Sequence, residues 1–148
     1  MMPKKILLPS DGSKYALKAA DYLKELFKDH SDIEVTILYV GHIPTELVFN
    51  GQFFGLAEMD LNLDKMLEHS AEPIFENTKK LFDGTGFKLI TVIQSGSPAE
   101  EIALFAKSEQ IDLIVIGSRG LGEIKGILLG SVSDRVAHIS PCPVLIVK

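Results

Sequence analysis

The sequence has a single cysteine, no excess of basic residues and no long hydrophobic run, and each of these shortages excludes a class of protein. Cys142 has no partner for an internal disulfide, so we expect a reducing, cytoplasmic location. The formal net charge of −5 argues against a nucleic-acid partner, which would require a basic surface. No apolar run is long enough to span a membrane, and Met1–Lys5 leads into too few apolar residues for a signal peptide, so we expect no membrane partner.

Catalytic and metal-binding patterns are also missing. The four histidines are widely separated, and none lies at the i,i+4 spacing typical of a zinc site on a helix. Spacing indicates neither a Ser-His-Asp arrangement nor a pair of carboxylates, and no base is evident beside Cys142. The sequence therefore predicts no catalytic residue and no metal bound by protein side chains alone.

Short apolar runs alternate with amphipathic stretches along the chain. The run Leu113–Ile116 has no polar face, which is typical of a parallel strand covered on both sides. The order β-α-β-α-β-α-β-α-β, without repeats, predicts an α/β fold with a doubly wound parallel sheet, and the 148 residues fit one domain, 1–148. The predicted strands are 6–8, 33–40, 87–93, 113–116 and 144–147.

Two segments are harder to interpret. Glu58–Phe82 predicts a long helix in which Pro73 introduces a kink or begins a new segment. Residues 41–57 combine glycines and a proline with several aromatic side chains, and a loop of this length is unusual in a small domain. This segment is either a variable loop whose aromatic side chains pack on the rest of the domain, which is favoured, or a lid over a ligand or part of a subunit contact.

The strongest functional signal lies between residues 111 and 133. The strand ends in Gly117–Gly120, where glycines allow a ligand to approach the backbone, and Gly130 follows ten residues later. Ser131 is predicted to be the N-cap of the next helix, whose free N–H groups and positive dipole end favour phosphate. Capping alone would use the same N–H groups, so both interpretations remain. The pattern is neither the lysine-containing P-loop nor GxGxxG.

The spacing of Gly117, Gly120 and Gly130-Ser131 resembles the nucleotide-binding signature of the universal stress proteins. Lys5–Ser13 resembles the first strand and turn of that family, and Pro141–Val147 resembles its last strand. The resemblance covers the chain except for residues of about 41–57. It implies a five-stranded, Rossmann-like sheet in the order 3-2-1-4-5, with the turns after strands one and four facing each other across a crevice.

The resemblance also implies ligands and partners. It implies a universal stress protein-like nucleotide-binding domain that binds a nucleotide, ATP or AMP, with Mg²⁺ on the phosphates of ATP and at most slow hydrolysis. It implies a homodimer in which the Val144–Val147 strands pair edge to edge. The positions that match the nucleotide-binding residues of the family are Pro9, Asp11, Val40, Gly117, Ser118, Arg119, Gly120, Gly130, Ser131, Val132 and Ser133.

Several of these positions have a plain structural alternative. Asp11 either accepts from the adenine amino group or helps to hold Mg²⁺, or it bonds the backbone of its own turn. Arg119 either pairs with phosphate or is a solvated loop charge. The Val40 backbone either meets the adenine edge or belongs to the core. The hydroxyls of Ser131 and Ser133 either bind phosphate or only cap the helix.

Three functions remain after the residues are weighed. The leading one is a nucleotide-dependent regulatory module of the stress response. The second is a dimeric interaction protein of the same fold that binds no nucleotide. The third is an enzyme, because Ser10–Ser13 faintly resembles the loop of ATP pyrophosphatases, although the second glycine of that loop is absent.

Overall fold

The structure is a computed structural model that describes residues 2–42, 56–122 and 129–148, with side chains of the second helix described from residue 63. Nine helices and strands alternate within this part of the chain, and the observed strand boundaries lie within two residues of the predicted ones. In chain order, these elements are β1 Lys5–Pro9, α1 Lys14–Leu26, β2 Glu34–Gly41, α2 Leu56–Leu81, β3 Lys88–Ser95, α3 Pro98–Ser108, β4 Leu113–Gly117, α4 Ser131–Ile139 and β5 Val144–Val147.

The five strands form one parallel sheet in the order β3-β2-β1-β4-β5, which confirms the predicted fold. The central strand β1 pairs with β2 on one side, with Leu8 opposite Ile37, and with β4 on the other, with Ile6 opposite Leu113. The winding of the chain therefore reverses between β1 and β4. In an open α/β sheet this reversal leaves a crevice beyond the carboxyl ends of the two strands.

Helices cover both faces of the sheet. Ile6 and Leu8 pack on one face in a cluster with α1 and the end of α2, whereas Leu7 packs on the other face in a cluster with α3 and α4. All three side chains are fully buried. A strand covered on both faces needs apolar residues at every position, which explains the unbroken apolar runs of the sequence.

The second helix runs without interruption from Leu56 to Leu81 with Pro73 inside it, so of the two expectations for Pro73, a kink or a new segment, no new segment begins there. Proline removes one main-chain hydrogen bond and crowds the preceding turn. Tertiary packing offsets this loss on either side, because Ala71 and Thr78 are both buried. The Thr78 hydroxyl also donates to the Ile74 carbonyl at 2.7 Å within the same helix.

The interpretations of residues 41–57 largely fall outside the described residues, so they stay predictions. Within the described ranges, no helix combines the length and the hydropathy needed to cross a bilayer.

Candidate functional site

A cavity of about 300 Å³ lies beyond the carboxyl ends of β1, β2 and β4, at the point where the winding reverses. Every residue predicted for the site lines this cavity except Ser118. The described lining residues are Pro9, Ser10, Asp11, Ala16, Leu38, Val40, Pro98, Ile102, Ile116, Gly117, Arg119, Gly120, Leu121, Gly122, Gly130, Ser131, Val132 and Ser133.

One part of the cavity wall is apolar, and sequence reasoning missed most of it. Leu38 belongs to β2, Ile116 to β4, and Pro98 and Ile102 to α3. Leu38 and Ile116 follow the pattern of buried strand residues, and Ile102 lies on the helix face that covers the sheet. Their positions in the sequence therefore look the same as those of ordinary core residues. Val40 was predicted for the site, and its side chain packs against the same apolar cluster.

Asp11 links the two turns that face each other across the cavity. Its Oδ1 accepts a hydrogen bond from the Ser13 amide at 2.9 Å, which is the turn interaction considered from the sequence. Its Oδ2 accepts from the Leu121 amide at 3.0 Å, across a separation of 110 residues. The carboxylate therefore stabilises its own turn and also connects it to the segment after β4. Each oxygen retains acceptor capacity for a ligand, because a carboxylate has about four lone-pair sites.

The protein's own packing leaves no room for a side chain at Gly117, and little room at Gly120 unless the Asp11 side chain moves. A Cβ at Gly117 would lie 2.7 Å from the main-chain oxygen of Tyr15, so a side chain there would push α1 away from β4. A Cβ at Gly120 would overlap the Asp11 carboxylate. The groups that approach these glycines in the structure are the Tyr15 main chain and the Asp11 carboxylate of the protein itself, and the expected approach of a ligand stays a prediction.

The N-cap of α4 is Gly130, so the prediction that Ser131 caps this helix is wrong. Gly130 has the extended backbone of an N-cap, with φ −71° and ψ 162°, and it makes no side-chain capping hydrogen bond. Ser131 is the first helical residue, and its side chain is exposed. The amides of Ser131, Val132 and Ser133 have no carbonyl one turn earlier in the helix, and no described residue accepts from them. These amides are suited to bind an anion.

The Ser118 carbonyl connects the end of β4 to the start of α4. It accepts from the Gly130 amide at 2.6 Å and from the Ser133 hydroxyl at 2.8 Å. The Ser133 hydroxyl also lies 3.1 Å from the Gly130 carbonyl oxygen. Both serines are buried, with 4% of Ser118 and 2% of Ser133 exposed. Ser118 therefore supports the site through its main-chain carbonyl and does not line the cavity, whereas Ser133 does.

The described lining residues carry one acidic and one basic side chain, Asp11 and Arg119. Asp134, in the first turn of α4, is exposed and lies beside His138, with 4.0 Å between Oδ1 and Nδ1. Asp134 makes no described hydrogen bond to the Ser131 amide, so it leaves that amide to other acceptors. In the described ranges, no three His, Cys, Asp or Glu side chains are grouped as a metal site would require.

The family of the chain follows from its similarity to known proteins. A family model described as the universal stress protein family matches residues 2–148. The chain belongs to the universal stress protein family. Universal stress protein MJ0531 of Methanocaldococcus jannaschii is 37% identical over 147 residues, covering 98% of this chain and 82% of that protein. The solved structure of MJ0577, from the same organism, matches with a TM-score of 0.85 and 38% identity, covering 100% of this chain and 97% of that one.

Two solved members of the universal stress protein family contain nucleotides. A universal stress protein in complex with cAMP matches with a TM-score of 0.66 and 22% identity, covering 100% of this chain and 98% of that one. A family member from Arabidopsis thaliana with AMP bound has a TM-score of 0.64 and 20% identity, covering 99% of this chain and 92% of that one. At these identities, the likeness shows that the fold is the same.

Proposed function

We propose that this universal stress protein binds ATP in the cavity between β1 and β4 and acts as a nucleotide-dependent regulatory module. The observation that carries the proposal is the composition of the cavity wall. Three helix amides without described acceptors and the Arg119 side chain lie on the same cavity as an apolar wall. A volume of about 300 Å³ also lies at the lower end of the range found for small-molecule sites.

The charges and hydrogen-bonding groups support one orientation of the ligand. The phosphates bind at the Ser131 and Val132 amides, where the helix dipole favours negative charge, and pair with the Arg119 guanidinium. The base lies against the apolar wall near Val40. An ionised carboxylate has no proton to donate and acts only as an acceptor. Asp11 therefore bonds ribose hydroxyls or the adenine amino group, which are donors, and not phosphate.

The site fits a metal ion that arrives with the nucleotide. Mg²⁺ is usually held by one or two carboxylates together with phosphate oxygens and water. Asp11 is the one carboxylate among the described lining residues, so it would be the only carboxylate ligand from them, and phosphate oxygens and water would complete the coordination. Both oxygens of this carboxylate already accept from main-chain amides, of Ser13 and Leu121, and we therefore infer binding with at most slow hydrolysis.

We further infer that residues 1–148 act as one nucleotide-binding domain that forms a homodimer through β5. This strand pairs only with β4 within the described sheet, and its first three residues are half-buried. An apolar edge strand is a natural pairing surface for a second copy. The single cysteine supports a cytoplasmic location.

One observation favours a second function, a dimeric interaction protein that binds no nucleotide. Gly117 and Gly120 are both explained by contacts inside the protein, with Tyr15 and Asp11. The glycine signature can therefore be maintained by packing alone. This alternative predicts the same dimer and the same fold with no saturable nucleotide binding.

Isothermal titration calorimetry with ATP, AMP, cAMP and adenosine, each with Mg²⁺, distinguishes the two functions. The nucleotides in the two relatives are the reason to test adenine compounds first. We expect saturable binding with ATP the tightest, because the α4 amides and Arg119 act on its phosphates. An absence of saturable binding of all four compounds up to millimolar concentration would favour the interaction protein.

A further inference from the structure

Ser133 has a contact that its position at the cavity does not require. Its hydroxyl donates to the Ser118 carbonyl at 2.8 Å, although the two residues are 15 positions apart, and both are buried. The same carbonyl accepts from the Gly130 amide at 2.6 Å. One oxygen at the end of β4 therefore holds both the N-cap and the third residue of α4.

The hydrogen-bonding capacity of a serine hydroxyl limits what Ser133 can do for a ligand. A hydroxyl has one proton to donate, and this proton is directed to a carbonyl oxygen of the protein. An ionised phosphate only accepts hydrogen bonds. With its proton committed, the Ser133 oxygen would present lone pairs to the lone pairs of a phosphate oxygen, which is repulsive.

The contact instead fixes where α4 begins relative to the segment after β4. A Cβ at Gly130 would lie 3.2 Å from the Cα of Arg119, so these two backbones are in close contact. The amides of Ser131 and Val132 follow directly, and they line the cavity together with Arg119. A shift of Gly130 away from Ser118 would move these amides relative to the Arg119 guanidinium.

We propose that Ser133 is a positioning residue of the anion site, whose hydroxyl holds the first turn of α4 against the Ser118 carbonyl and does not contact the ligand. This inference rests on the proposed function for the identity of the anion. The hydrogen-bonded arrangement itself is present without ligand. It can therefore be tested in nucleotide-free protein.

The first test is amide hydrogen exchange, resolved by residue, in the nucleotide-free protein. In Ser133→Ala we expect the Gly130 amide to exchange about fivefold faster, the factor that corresponds to one hydrogen bond of about 1 kcal/mol. Thr78→Val is the matched control, because it also removes a buried hydroxyl that donates to a helix carbonyl, at 2.7 Å, on the opposite face of the sheet. The Ile114 amide, bonded within the sheet to Pro143, reports global unfolding.

The second test is the ratio of the affinities for ATP and adenosine. If Ser133 positions the amides, Ser133→Ala weakens ATP about fivefold or more while adenosine binds as in the wild type. Thr78→Val leaves the ratio unchanged. Ser133→Cys, which keeps the size of the side chain with a weaker donor, should give intermediate values in both tests, and it serves if the alanine variant does not fold.

The two tests together distinguish an error in the role of Ser133 from an error in the proposed binding of ATP. Unchanged exchange at Gly130 in Ser133→Ala with a weaker affinity for ATP would mean that the hydroxyl contacts the ligand, and would overturn the proposal. Faster exchange with an unchanged affinity ratio would overturn its role in the anion site. If the wild type binds no ATP, the proposed function fails, and the exchange at Gly130 still decides whether Ser133 holds the helix.

Discussion

The Asp11 carboxylate and the Leu121 main-chain amide are joined by a hydrogen bond of 3.0 Å that crosses the mouth of the cavity. Asp11 follows β1 and Leu121 follows β4, so one side chain connects the two turns that flank the reversal of winding. The Leu121 side chain is 75% exposed, so it contributes little packing to hold this segment in place. Among the described residues, this hydrogen bond restrains the segment at this edge of the cavity.

Replacing Asp11 by Asn should disturb both the fold and the site. Asparagine has one acceptor oxygen in place of two, so it cannot accept from the Ser13 and Leu121 amides with the same geometry. We expect a loss of about 1–2 kcal/mol in the free energy of unfolding and weaker binding of ATP. Urea denaturation and calorimetry measure the two effects. Asp83→Asn is the control, since Asp83 is exposed and its side chain has no described hydrogen bond. Equal losses of unfolding free energy and of ATP affinity in both variants would show that the hydrogen bonds of Asp11 do not connect the two turns.

Gly120→Ala should act through Asp11. The added methyl group would overlap the Asp11 carboxylate and displace it from the Leu121 amide, so we expect lower stability and weaker ATP binding. Gly122→Ala is the stability control, because a Cβ there meets nothing within 4 Å.

A double-mutant cycle tests directly whether the methyl group of Gly120→Ala acts by displacing the Asp11 carboxylate. In an Asp11→Ala background the overlapping carboxylate is gone, so Gly120→Ala should destabilise the protein less than it does in the wild type. Additive losses of unfolding free energy would show that the methyl group acts on something other than Asp11.

The stability of the protein should depend on pH through Asp112. Its Oδ2 accepts from the Lys5 amide at 2.9 Å and the Lys4 amide at 3.0 Å, and these hydrogen bonds hold the pKa of the carboxyl below its ordinary value. Because the pKa is lower in the folded state, the stabilisation is fully present above the unfolded pKa of about 3.9. It is lost as the pH falls through the folded pKa.

Asp112→Asn should therefore be less stable than the wild type at pH 7, by up to about 1 kcal/mol since the carboxyl is largely exposed. The difference should shrink as the pH falls below about 4. Urea denaturation across this range measures it, with the exposed Asp29→Asn as the control. A difference that is independent of pH would contradict the assignment.

The proposed dimer depends on the outward main-chain groups of β5. The carbonyls of Pro143 and Val147 accept from the amides of Ile114 in β4 and of Ser118 directly after it. Because main-chain groups alternate along a strand, the Ile146 amide points away from β4. Ile146→Pro removes this outward amide without removing a hydrogen bond to β4. We expect it to convert a dimer to the 16.2 kDa monomer in light scattering, whereas Ile146→Val remains dimeric. A wild-type protein that is monomeric at all concentrations would exclude the dimer.

The sequence predicts most of the fold because the chain alternates sharply between apolar strands and amphipathic helices. Leu113–Ile116 predicts a strand buried on both faces, and that is its place in the sheet. The strand order came from the resemblance to the family, since periodicity does not determine which strands are neighbours. Pro73 shows the limit of local rules, because packing on either side keeps α2 continuous.

The site was predicted where glycines and serines provide a signal. The apolar wall, including Leu38 and Ile102, was missed because residues that line a cavity and residues that fill a core have the same periodicity. The contact between Ser133 and Ser118 was also missed, because it joins two elements across a long connection. Serine is a preferred N-cap residue, so the sequence predicts the cap at Ser131, but the backbone places Gly130 there.

The measurement that tests the central claim most directly is a titration of the isotopically labelled protein with Mg²⁺-ATP, followed by the amide resonances. The account predicts saturable shifts concentrated at the Ser131 and Val132 amides and at Gly120, with adenosine shifting the residues of the apolar wall but leaving the Ser131 and Val132 amides nearly unchanged. No saturable shift, or shifts confined to a surface away from this cavity, would contradict it.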